Sequence, residues 1–116
     1  MTGWAISLGG LFGLLGVAAA AYSAHGAADQ RLTSAVALVL LAHGPALIAL
    51  SGHLERSKLV SIAIALIVIG AGLFCGDVML KAIGRAGLFS RAAPTGGFLL
   101  MAGWISVIAA GFVRRG

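Results

Sequence analysis

Four side chains stand out in an otherwise apolar chain because they can carry or exchange charge: His25, His43, Asp77 and Lys81. An ionisable group at membrane depth is costly to place, so each marks a candidate functional position. His43 falls near the centre of the second apolar stretch. It can handle a proton or meet a ligand, or it can sit as a neutral imidazole hydrogen-bonded to a neighbouring helix. Asp77 lies about eight residues past the middle of the third stretch, roughly 12 Å off-centre at 1.5 Å per residue. Lys81 follows at i+4 on the same helical face, which predicts a local ion pair. His25 ends the first stretch on the same side as Arg31, Asp77 and Lys81. These groups are expected either to cluster at one mouth of the protein or to sit solvated at the interface.

No cofactor or metal is expected. A bis-histidine haem needs two imidazoles at similar depth, yet His25 and His43 are separated by roughly 16 Å along the membrane normal. His53 lies further along the same stretch as His43 and is expected to be solvated. Three histidines at three depths make a poor zinc site. Cys75 has no second thiol to pair with and reads as a small packing residue. No nucleophile–base pair is visible, so enzymatic activity is not expected.

These residues must be held by a particular class of fold. The chain has 116 residues, 60% hydrophobic and 9% charged, with 18 Gly. Soluble domains carry roughly 25% charged residues. So little polar surface excludes a soluble enzyme, a disordered tail and a disulfide-stapled secreted domain. The composition points to an all-α integral membrane four-helix bundle, a single domain over residues 1–116. The spans are expected at about 4–24, 32–52, 59–80 and 95–113, each near the length that crosses a ~30 Å hydrocarbon core. Helices are required because lipid cannot satisfy open backbone N–H and C=O groups. Met1-Thr2-Gly3 lacks a positive n-region, so the first stretch reads as a true span rather than a cleaved signal.

The formal charge of +5 sits in the loops and at the C-terminus, so nucleic acid is not an expected partner. Four spans place both termini on one membrane side. That side holds Arg56, Lys58, Arg114 and Arg115, against Arg31, Lys81, Arg85 and Arg91 on the other. Counting basic residues therefore leaves the orientation tied. The loop from Lys81 to Pro94 mixes basic and apolar residues, with Leu88 and Phe89 able to dip into the interface. Lys81, Arg85 and Arg91 are candidate contacts for anionic lipid headgroups. An ordinary polar loop is the alternative.

Small residues at helix-contact spacing predict tight packing. Gly9 and Gly13 form one pair, Gly72 and Gly76 another, and Ala102, Ser106 and Ala110 a stripe. Together they suggest a close bundle and a homo-oligomer or larger complex. Pro45 cannot donate to the carbonyl of Leu41 and is expected to kink the second helix. The small multidrug exporters carry a membrane-embedded glutamate in their first helix. The first span here has no carboxylate.

Several segments together resemble a known family. Ala20-Ala21-Tyr22-Ser23-Ala24-His25-Gly26 is similar to a GAFGAHG-like motif, best at Ala24-His25-Gly26. His43-Gly44-Pro45-Ala46-Leu47 resembles a His-Ala-Leu-Ala-Leu segment, and Phe74-Cys75-Gly76-Asp77 an FSGS element. Ala93-Pro94-Thr95-Gly96-Gly97, followed by Ala102-Gly103-Trp104, resembles a TPLGG…AGW signature. In this order they resemble the small membrane protein family called domain of unknown function 423. Pro45 and Asp77 depart from the family's usual residues, as does the lack of an aromatic before His43. The resemblance implies a cytoplasmic second loop and C-terminus, in a bacterial inner membrane, and no established activity. The leading expectation is a structural or accessory membrane subunit. A small proton-linked transporter or channel using His43 and Asp77 is the first alternative. Anionic-lipid binding through residues 81–91 is the second.

Overall fold

The computed structural model describes residues 3–26 and 28–115, with backbone alone for Arg114 and Arg115. Met1 and Thr2, part of the signal-peptide argument, lie outside the described residues. The chain forms four helices in order: α1 (Gly3–His25), α2 (Gln30–Ser51), α3 (Lys58–Ala82) and α4 (Ala92–Arg115). All four are long and apolar enough to cross a membrane. At 1.5 Å per residue each is about 33–38 Å long, more than a hydrocarbon core of ~30 Å requires.

Caps explain where the helices differ from the expected spans. α2 begins at Gln30, two residues early, because the Asp29 carboxylate accepts from the backbone N–H of Arg31 at 3.0 Å. Ser57 caps α3 in the same way through the N–H of Val60. α4 starts at Ala92, three residues before the expected Thr95. Pro94 is tolerated there because the first turn has no intrahelical use for its N–H. The helix α2 runs unbroken through Pro45, whose ring is exposed.

The helices pack as two hairpins, α1 on α2 and α3 on α4, joined where α2 meets α3. The backbone N–H of Asp29 reaches the carbonyl of Ala82, tying the first loop to the end of α3. Loops one and three therefore share one end of the bundle. Val36, Leu40, Leu47, Ile64, Ile67 and Ala71 form the middle of the core. Outward-facing side chains are large and apolar, such as Leu38, Phe98, Ile105 and Phe112. Such a surface suits lipid as its solvent.

Each hairpin closes on a reciprocal pair of glycines. A Cβ on Gly9 would stand 2.7 Å from the carbonyl oxygen of Gly44, and one on Gly44 would stand 2.8 Å from that of Gly9. The second hairpin repeats this, with 2.7 Å from Gly70 to the oxygen of Gly96 and 2.6 Å in reverse. Only glycine permits backbones to approach so closely, and in lipid that approach supplies the van der Waals contact.

These contacts depart from the expected GxxxG pairs. Gly13 lends its backbone N to the Gly44 contact, but its own Cβ position faces open space. Gly16, packed under Leu41, is the second tight position on α1. Gly72 is exposed and open, and Gly76 meets only the tip of Leu88. On α3 the tight position is Gly70, and on α4 Gly103 packs on Ile67. The correction has a simple cause. Spacing locates a face only to within one helical step, whereas the crossing point decides which glycine touches. On α4 Ser106 and Ala110 are buried and Ala102 is half-buried. Ser106 Oγ donates to the Leu59 carbonyl at 2.7 Å.

Candidate functional site

His43 and Asp77, both buried in the bundle, occupy two separate places. The first is His43, halfway along α2 and 9% exposed. Its Nδ1 lies 2.7 Å from the Val39 carbonyl one turn back. The indole Nε1–H of Trp104 on α4 donates to His43 Nε2 at 3.0 Å. Trp104 Nε1 can only donate and the Val39 carbonyl can only accept. The proton therefore sits on Nδ1, which donates to Val39, while Nε2 accepts. Both ring nitrogens of a neutral imidazole are used. The two rings are 5.7 Å apart between centroids, tilted by 54°. The neighbouring-helix hydrogen bond expected for a neutral His43 is present.

The second place is Asp77, near the end of α3 and 0% exposed. Lys81 Nζ reaches its Oδ2 at 3.0 Å, as the i+4 spacing predicts, and remains half-exposed. The carboxylate does more than that spacing suggests. Oδ1 accepts from the backbone N–H of Leu88 at 2.8 Å, and Oδ2 from that of Ala93 at 3.2 Å. Asp77 thus fastens the third loop and supplies the cap that α4 lacks in its own first turn. A negative charge at a helix N-terminus also complements the helix dipole. Gly87 is part of the arrangement, since the space a side chain would need there is filled by Asp77 Oδ1.

The remaining candidates are placed around these two. His25 is exposed at the end of α1, and among the described residues it shares no hydrogen bond with His43 or Asp77. The polar cluster expected at this mouth reduces to the Asp77–Lys81 pair and its backbone partners. Gly26 follows His25 and lies beneath the ring of Tyr22, which leaves no room for a Cβ. Arg85 and Arg91 are exposed on the third loop, and Arg91 adopts a positive φ of 68° just before α4. Leu88 and Phe89 are about half exposed beside them. His53 is exposed in the turn after α2.

Sequence reasoning missed Trp104, Leu88 and Ala93 as partners. One signal was present, because Arg91, the residue before α4, has no side-chain acceptor, whereas Asp29 and Ser57 cap α2 and α3. A helix start without a cap of its own calls for a donor-satisfying group from elsewhere.

An apolar groove of about 480 Å³ lies between α1 and α3, with α2 as its floor. Phe12, Tyr22, Leu40, Gly72, Cys75 and Met79 line it. The Cys75 thiol is buried and directed at the Val36 carbonyl, 4.0 Å away. Among the described residues no three His, Cys, Asp or Glu side chains gather as a metal site requires.

No solved structure matches this chain. A family profile does, that of the Protein of unknown function (DUF423) family, over residues 19–97. The matched stretch runs from the last turns of α1 to the opening of α4 and carries His25, His43, Asp77 and Lys81, while Trp104 lies beyond it. More than half of the chain is matched, and it belongs to the DUF423 family, proteins of unknown function.

Proposed function

We propose that this small membrane protein is a structural or accessory subunit that works by packing in the bilayer, with no enzymatic chemistry of its own. One observation carries the reading: His43 and Asp77, the buried side chains best able to carry charge, are spent on internal hydrogen bonds. His43 bridges α2 to Trp104, and Asp77 ties α3 to the third loop and α4. Among the described residues no buried side-chain N or O lacks a partner. What the molecule presents is its apolar outer surface, suited to a larger membrane complex or a second copy. Extraction in mild detergent followed by native mass analysis tests this. A co-purifying partner or a homo-oligomer is expected, and a lone monomer counts against it.

A proton-linked transporter or channel is the competing function, with His43 and Asp77 as its working groups. Flux into liposomes that disappears in His43→Ala and Asp77→Asn, with both variants folded, would replace the accessory reading. The family resemblance favours a bacterial inner membrane with both termini in the cytoplasm. Reporter fusions at the C-terminus and in the third loop test it, and a cytoplasmic third loop would reverse it.

A further inference from the structure

The groove between α1 and α3 covers only half the depth of the bundle. On α1 it runs from Phe12, near the middle of the helix, to Tyr22, a distance of about 15 Å. On α3 it runs from Ala71, just past the middle, to Met79. It therefore extends from the midplane to the end that carries loops one and three, the thickness of one leaflet. A spanning helix, whether from a partner or from a second copy, needs a seam through both leaflets. A single acyl chain needs one leaflet only.

The groove is apolar along its length, and the Tyr22 hydroxyl and the Cys75 thiol are the polar side-chain groups among its lining residues. Its volume, about 480 Å³, falls within the roughly 300–1,000 Å³ typical of small-molecule pockets. At the same end of the bundle stand Arg31, Lys81, Arg85 and Arg91, against Asp29 and the buried Asp77. Lys81 and Asp77 offset each other. The remainder is three arginines against one aspartate, a surface that favours anions.

We infer that the groove is a binding site for an anionic glycerophospholipid. One acyl chain lies between Phe12 and Tyr22 on α1 and Ala71 and Met79 on α3. The phosphate stays at the interface, within the field of Arg31 and Arg85. The groove supplies affinity through apolar contact, and the arginines supply the preference for negative charge.

Native mass spectrometry of the full chain in mild detergent reads this directly. The probes are phosphatidylglycerol and phosphatidylcholine with identical acyl chains. Phosphatidylglycerol is expected to be retained about tenfold more strongly, equivalent to about 1.4 kcal/mol. Gly72→Leu projects a side chain into the groove from a position with nothing within 4 Å of its Cβ. It should weaken retention of both lipids about tenfold while leaving the melting temperature unchanged. Ala18→Phe, on the opposite wall, repeats the test should the first variant fold poorly. Arg31→Ala with Arg85→Ala should make the two lipids equal. Equal retention by the unaltered protein, or full retention in both groove-filling variants, would overturn the site. So would a dimer that Gly72→Leu dissociates, which would assign the groove to a second copy. Lipid retention by the isolated chain is measured without a partner protein, so its outcome is separate from that of the accessory role.

Discussion

Trp104 on α4 donates its indole hydrogen to His43 Nε2 on α2, a contact between the two hairpins near the middle of the membrane. The hydrogen bond fixes the imidazole tautomer and leaves no ring nitrogen free. Trp104→Phe should keep the ring contact and lose the donor. Interhelical hydrogen bonds in membrane proteins average about 0.6 kcal/mol and reach about 1.7 kcal/mol. A double-mutant cycle with His43→Ala and Trp104→Phe should give a coupling of about 1 kcal/mol in detergent unfolding. Additive effects would mean that the bond contributes nothing measurable.

The Asp77 arrangement makes a different prediction, because the carboxylate has three partners and Lys81 only one. Asp77→Ala leaves the N–H of Leu88 in the third loop and that of Ala93 at the start of α4 without acceptors. Lys81→Ala removes a half-exposed partner and leaves both backbone bonds in place. The aspartate variant should therefore lose several degrees of melting temperature, and the lysine variant clearly less. Hydrogen exchange should rise at residues 85–93 in Asp77→Ala. Equal losses in the two variants would reduce the role of Asp77 to the ion pair.

The reciprocal glycines predict which small-residue changes are tolerated. Gly44→Ala and Gly96→Ala each place a Cβ against backbone, which cannot move aside as a flexible side chain can. Overpacking of this kind costs about 1–3 kcal/mol. Gly13→Ala and Gly72→Ala point into open space and should be neutral or slightly stabilising, since alanine favours the helix by about 1 kcal/mol over glycine. Thermal unfolding of the four variants separates the two classes.

Ser106 offers a smaller test of the second hairpin. Its hydroxyl donates to the Leu59 carbonyl at 2.7 Å. Ser106→Ala should cost about 0.6 kcal/mol, the average for such bonds in membranes. Ser106→Val adds bulk on a buried face and should cost more. A neutral Ser106→Val would show that this part of the α3–α4 contact is loosely packed.

The spans were legible because lipid imposes one rule on every residue of a crossing helix. A run of apolar residues reports it locally, and the ion pair of Asp77 with Lys81 was legible for the same reason. Trp104 meets His43 across 61 positions, and Ala93 meets Asp77 across 16. Those pairings depend on helix rotation and crossing, which local spacing does not encode. The tight glycines illustrate the limit well. Gly9 lay in a visible motif, but Gly44, Gly70 and Gly96 gained their importance from the helix opposite.

The paired glycine contacts also bear on how the chain assembles. Each joins two helices that are neighbours in sequence, separated by a short connection, so the entropy of bringing them together is small. The first hairpin can close as soon as α2 has entered the bilayer, before α3 has been synthesised. The second can close without reference to the first. Docking α2 on α3 joins the two hairpins, and the bond from Trp104 to His43 spans that junction.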